Sequence, residues 1–301
     1  MMKIEFTKMH GLGNDFILID CMRPESGTIG SADFPALAQK LCHRRFGIGA
    51  DQLLLLYPSR IADFRMGILN ADGSEVEMCG NGIRCLAKYV WDRGLSDKKA
   101  IEVETLAGII RPERINGLIR VDMGEPILEP EKIPVDIPEQ SRVSSRQSEL
   151  HPGAKNPRPI IDYPLKAGDR EFRITCVSMG NPHAVIVTYG LSEFPVAYYG
   201  PAIEHHPLFP KRTNVEFIEV LNRSEIRMRV WERGAGETMA CGTGACAAAV
   251  AAHLQGLTER NVTIHLSGGD LFIDWDKGAH VYMTGPADEV FRGTINLGPL
   301  G

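Results

Sequence analysis

Two cysteines share one local frame: Cys79-Gly80-Asn81-Gly82 and Cys241-Gly242-Thr243-Gly244, each at the start of a stretch that reads as a helix. A helix N-terminus presents unpaired N–H groups and the positive end of the helix dipole, which favours a thiolate and also binds a carboxylate. The glycines let that backbone approach a ligand closely. A thiolate on one side of a carbon acid and a thiol on the other can remove an α-proton from one face and return a proton to the opposite face. N–H groups from both helix starts would stabilise the carboxylate of the planar carbanion. The competing reading makes both cysteines small buried residues near tight turns. Cys85 and Cys246 fall on the helical stretches and are expected in the core, and Cys21, Cys42 and Cys176 carry no motif and are assigned to packing.

The frame belongs to an internal duplication. At an offset of 162 residues, Arg65, Met66, Glu75, Cys79, Gly80, Gly82 and Ala87 meet the same residue types at Arg227, Met228, Glu237, Cys241, Gly242, Gly244 and Ala249. The same offset pairs His43 with His205 and Gln52 with Asn214, and a slightly different one pairs Gly13-Asn14 with Gly180-Asn181. Two homologous halves follow, each contributing a similar half-site to a common cleft. β-branched and alternating runs predict strands in 3–20, 52–57, 63–70 and 100–104, with a helix after Cys79 that stops at Gly94. In the second half they predict strands in 175–188, 215–220, 225–231 and 262–266, with a helix from Cys241 to Leu254. The fold class is therefore α/β of the α+β kind. The first half is placed at 1–128, joined by a returning strand in 287–301, and the second at 129–286. Prolines and serines crowd 125–164, which places a mobile surface loop near 138–158.

Several polar residues at strand ends or beside glycines are candidate cleft residues or plain turn caps: Asn14, Gln52, Asn70, Asn81, Asn181, Asn214 and Thr243. Glu232 and Arg233, at a strand end, suit the amino and carboxylate groups of a zwitterion. His183 could tune a thiol's proton. No short Cys-x-x-Cys spacing or paired histidines suggest a metal, and Gly11-Leu12-Gly13 lacks the third glycine of a dinucleotide site. The formal charge of -5 gives no basic surface for nucleic acid. No run of about 18 apolar residues spans a bilayer and no leader pattern opens the chain, so a cytoplasmic protein with reduced thiols is expected.

The motifs as a set resemble the diaminopimelate epimerase family: His10-Gly-Leu-Gly-Asn-Asp-Phe16, Asn70-Ala-Asp-Gly-Ser74, Cys79-Gly-Asn-Gly82, Gly180-Asn-Pro-His183, Arg212-Thr-Asn-Val215, Glu232-Arg-Gly-Ala235 and Ala240-Cys-Gly-Thr-Gly244. The resemblance implies two pseudo-symmetric domains, each a curved, mostly antiparallel sheet wrapped around a central helix. It implies interconversion of LL- and meso-diaminopimelate without pyridoxal phosphate, metal or other cofactor, in lysine biosynthesis and, in many bacteria, for peptidoglycan. Cys79 and Cys241 become the acid/base pair, and Gly80-Asn81 and Gly242-Thr243 grip the reacting carboxylate. Asn14, Gln52, Asn70, Asn181, Asn214, Glu232 and Arg233 hold the diamino-dicarboxylate substrate, His183 and Glu232 assist proton handling, and a homodimer is expected.

Two alternatives stay open at this point. One is another two-cysteine racemase of the same fold, acting on proline or histidine, although Asn81 departs from the Cys-Gly-His of the proline racemase group. The other is a thiol-disulfide protein, against which the wide separation of Cys79 and Cys241 weighs.

Overall fold

Gly11-Leu12-Gly13-Asn14 turns the chain back on itself, with Leu12 and Gly13 at φ +58° and +88° and Gly11 opposite Asn14 in the ladder. The long opening run is thus a hairpin, β1 (Met2–Gly11) and β2 (Asn14–Asp20), and the Gly-x-Gly belongs to its turn. The molecule is described from a computed structural model over residues 2–22, 33–137 and 159–297, so the expected loop at 138–158 lies outside the described residues.

Two compact units divide the chain, 1–122 with 284–301 and 123–283. In the first, β1 and β2 are followed by α1 (Phe34–Cys42), β3 (Gln52–Tyr57), β4 (Phe64–Asn70), α2 (Gly80–Asp92), β5 (Val103–Thr105) and β6 (Gly108–Ile110). A small hairpin, β7 (Glu113–Ile115) and β8 (Leu118–Asp122), turns at Asn116-Gly117, both at positive φ. The second unit holds β9 (Tyr163–Ala167), β10 (Arg170–Ser178), β11 (Pro182–Val187), α3 (Val196–Glu204), β12 (Asn214–Asn222), β13 (Glu225–Glu232) and β14 (Gly236–Thr238). It continues through α4 (Gly242–Leu254), β15 (Asn261–Leu266), β16 (Gly269–Trp275) and β17 (Val281–Gly285). The expected returning strand, β18 (Asp288–Leu297), pairs antiparallel with β1.

Strand order in the first unit is β18-β1-β2-β3-β4-β5-β6, and in the second β17-β16-β15-β13-β12-β11-β10-β9 with β14 on β13. The pairing senses repeat as well as the order. β1/β2, β3/β4 and β5/β6 are antiparallel while β2/β3 and β4/β5 are parallel. Likewise β10/β11, β12/β13 and β15/β16 are antiparallel while β11/β12 and β13/β15 are parallel. The duplication read in the residues is therefore a duplication of topology.

Each sheet carries a helix on both faces. In β2 and β3, Ile17, Ile19, Leu53 and Leu55 pack with Leu37, Ala38 and Leu41 of α1. Their neighbours Phe16 and Leu54 lie against Gly82 of α2. That double burial is why Leu53–Leu56 is an unbroken apolar run and not an alternating one. In the second unit, Ala184, Ile186, Val215 and Phe217 face Val196, Tyr199 and Ile203 of α3. The alternate residues point to α4, which touches β10, β11, β12, β13, β15 and β16. Six strands about 4.8 Å apart cannot all reach one helix about 10 Å wide unless the sheet curls around it.

α2 and α4 end the same way. Gly94 and Gly256 sit one residue past the helix cap at φ +63° and +74°. Leu95 N–H donates to Val90 O and Leu257 N–H to Ala252 O, closing a Schellman turn in both units.

Candidate active site

Cys79 caps the N-terminus of α2 in extended conformation, and its Sγ accepts from Gly82 N–H at 3.4 Å. Asn14 arrives beside it on the hairpin turn, its Oδ1 3.8 Å from Sγ and 3.3 Å from Asn81 Nδ2. Leu12 in the left-handed region is costly, and the strain is held where it aims Asn14. Asn14 Nδ2 in turn donates to Asp51 Oδ2 at 2.9 Å, and Arg44 bridges Asp51 (2.6 Å) and Asp15 (2.8 Å). Burial pushes the Asp15 carboxyl up, but hydrogen bonds and charge from Arg44 and Lys8 outweigh it and hold the group at about 2. Below Asn81 lies Arg84, fully buried, donating to Asn81 Oδ1 at 2.9 Å and to the carbonyls of Gly80 and Pro286. Gln52 and Asn70 face each other across β3 and β4, Nε2 to Oδ1 at 2.9 Å. Gln52 Oε1 is buried with no hydrogen-bond partner among the described residues.

The second unit builds its counterpart with different chemistry. Cys241 stands before α4, 5% exposed, its Sγ 3.5 Å from Thr243 Oγ1. Burial pushes its thiol well up, and the charges of Glu232 and Glu216 push the same way. Glu232, the last residue of β13, hydrogen-bonds Cys241 and accepts from Thr238 Oγ1. Burial raises its carboxyl above the ordinary value, with Glu216 adding to that rise. His183 is fully buried, with Nδ1 2.7 Å from Glu216 Oε1 and Nε2 2.9 Å from Asn181 Oδ1. Asn214 Nδ2 donates to Pro182 O at 2.8 Å, and its Oδ1 accepts from Arg233 N–H at 2.9 Å. The Arg233 side chain is exposed and reaches Lys211 O at 3.3 Å. Glu204 at the end of α3 pins the same bend, accepting from Trp231 Nε1 (2.8 Å) and Gly234 N–H (3.0 Å).

Within the first unit, Asn14, Cys79 and Asn81 come together and Gln52 joins Asn70. Within the second, Cys241, Thr243 and Glu232 form one group, and Asn181 joins His183. Both ring nitrogens of His183 are occupied, so this residue reaches Cys241 by way of Glu216. Glu216, Asp51, Arg84 and Glu204 were not singled out from sequence. A signal existed for Glu216: it stands 162 residues after Leu54, a charge in a strand otherwise apolar at that register.

A family model described as "Diaminopimelate epimerase" matches residues 6–129 and 175–290. A diaminopimelate epimerase from Moorella thermoacetica is 54% identical, over 98% of this chain and 100% of the relative. One from Pelotomaculum thermopropionicum is 55% identical, over 96% and 98%. Among solved structures, a hydroxyproline epimerase from Agrobacterium vitis, with bound trans-4-hydroxy-L-proline, superposes with TM-score 0.66 at 15% identity, covering 100% of this chain and 94% of that one. That likeness is one of fold. With half the residues shared along nearly the whole length, and the motif set in place at both helix starts, the chain belongs to the diaminopimelate epimerase family.

Proposed function

We propose that this chain interconverts LL- and meso-diaminopimelate, with Cys79 and Cys241 as the acid/base pair. The observation that carries this reading is the repeated frame, a cysteine standing before each of two 13-residue helices. One cysteine, as thiolate, takes the α-proton, and the electron pair of the broken C–H bond spreads into the α-carboxylate. The other, as thiol, delivers its proton to the opposite face, so configuration inverts while the two sulfurs exchange roles. N–H groups at Gly80-Asn81 and Gly242-Thr243 stabilise the carboxylate as charge builds on it.

Asn14, Gln52, Asn70, Asn181, Asn214, Glu232 and Arg233 hold the substrate and its distal amino-acid end. The unspent Gln52 Oε1 supports this, since a buried acceptor without a partner is costly unless a ligand ammonium or amide fills it. His183 and Glu232 assist the proton transfers. We place the reaction in cytoplasmic lysine biosynthesis and the chain in a homodimer. No helix among the described residues is long and apolar enough to cross a membrane. The edge strand β18 exposes Val290 and Phe291, which favours a protein partner on that side.

The test is an assay in deuterium oxide with LL- and meso-diaminopimelate and no added cofactor. Deuterium at the α-carbon accompanied by inversion is expected with both isomers. Absence of turnover, or inversion that retains the original hydrogen, overturns the reading.

A further inference from the structure

Glu216 is a buried acidic side chain where the first unit, 162 residues earlier, has Leu54. It lies on β12, fully buried, two residues beyond Asn214 and on the same face of the strand. Oε1 is bonded to His183, while Oε2 is buried with no hydrogen-bond partner among the described residues. The carboxylate lies beside Cys241: a Cβ built on Gly244 would stand 2.7 Å from Glu216 Oε1 and 3.3 Å from Cys241 Sγ. In the first unit the equivalent glycine, Gly82, meets Leu54 Cδ2 at 3.2 Å and Phe16 Cε1 at 3.5 Å. The same architecture thus accepts leucine and phenylalanine where the second unit buries glutamate and histidine. Burying a charge is expensive, and an apolar pair of similar volume packs at no such cost.

The groups facing Cys241 come from several elements. Glu232 on β13 bonds it, Glu216 on β12 lies alongside, Thr243 on its own helix is in contact, and His183 on β11 connects through Glu216. Two carboxylates in a water-poor site make a third negative charge there unfavourable. At Cys79 the Sγ accepts from Gly82 N–H at the helix start and can itself donate to Asn14 Oδ1, while the buried Arg84 guanidinium lies one residue further off, on Gly80 O and Asn81 Oδ1.

We propose that Glu216 is a positioning residue that keeps Cys241 in its thiol form when no substrate is bound, so that the resting enzyme presents Cys241 as acid and Cys79 as base. This rests on the acid/base pairing proposed above. In the first turnover Cys79 accepts the α-proton and the Cys241 S–H bond breaks to supply the new one. The reset returns a proton from Cys79 to solvent and takes one up at Cys241, with no net change in protons. His183 holds the Glu216 carboxylate in place for that uptake.

The test reads protonation without turnover. Thiolate ultraviolet absorbance is titrated in substrate-free Cys79→Ala protein, alone and with Glu216→Gln or Glu216→Leu added, the leucine copying the first unit's own solution. Burial pushes the thiols of Cys21, Cys42, Cys85 and Cys176 up as well as that of Cys241, so the Cys241 step is read as the difference from a Cys79→Ala/Cys241→Ala protein titrated in parallel. Removing the carboxylate should move the Cys241 step down by about one pH unit or more, giving about tenfold more thiolate at a fixed pH. In otherwise unaltered protein, Glu216→Gln should also shift the pH profile of kcat/KM. A Cys241 step unmoved or raised in the folded Gln and Leu variants overturns the proposal. Loss of turnover in Cys241→Ala bears on the pairing alone, so the two ideas fail separately.

Discussion

At the scale of single residues, the four cysteines on or beside α2 and α4 should separate by role. Cys79→Ala and Cys241→Ala are each expected to lower kcat by at least about a hundredfold, the usual worth of a positioned acid or base. Cys85→Ala and Cys246→Ala, both at fully buried positions, should cost about 1 kcal/mol of stability and leave kcat near its original value. Steady-state rates set against thermal melts decide this, and full activity in either Cys79→Ala or Cys241→Ala would return that residue to packing. A second contrast follows from the glycines. Gly244→Ala drives a methyl group to 2.7 Å from a buried carboxylate oxygen, whereas Gly82→Ala meets a leucine methyl at 3.2 Å that can yield. The first should cost about 2–3 kcal/mol and the second visibly less, as read from the two melting temperatures.

Elements carry the next level of control, because each site residue sits where a strand or helix changes direction. Gly200 of α3 lies so close to Trp231 that an added Cβ would stand 2.5 Å from its ring. Gly200→Ala should therefore push α3 off β13 and with it Glu204, the anchor of the Glu232-Arg233-Gly234 bend. Lower thermal stability together with a raised KM is expected, and a melt that falls with KM unchanged would show the bend to be held by other contacts. The helices after the two cysteines and strands such as β3 were legible because their signals are local: Gly-x-Gly starts, glycine stops and apolar runs. α1 and α3 were not read. α1 is nine residues long behind its Asp33 cap with Pro35 in its first turn, and α3 contains Pro201, which reads as a helix breaker. The polar site residues were legible as a set through their motifs, while Glu216, Asp51 and Arg84 were not, since each acts through a neighbour that only the folded register supplies.

For the whole molecule, the ion cluster under the first hairpin should shape acid stability. The folded Asp15 carboxyl titrates at about 2 against an ordinary 3.8, so its contribution is present above pH 4 and is lost as pH falls towards 2. The linkage amounts to about 2 kcal/mol, and denaturant melts of the Asp15→Asn protein should lose that much at neutral pH while differing little from the parent at pH 2. An Asp15→Asn protein as stable as the parent at neutral pH would show the cluster to be energetically idle. The placement of β18 has a consequence for how the molecule is made. Residues 123–283 are contiguous, so that unit is synthesised ahead of β18, which begins at residue 288. β1, synthesised first, must wait for the partner that covers its edge, with Ile4 and Phe6 unprotected through most of translation. Vectorial synthesis therefore favours completion of the later-encoded unit ahead of the earlier one, and makes the nascent N-terminal edge the segment most in need of a chaperone.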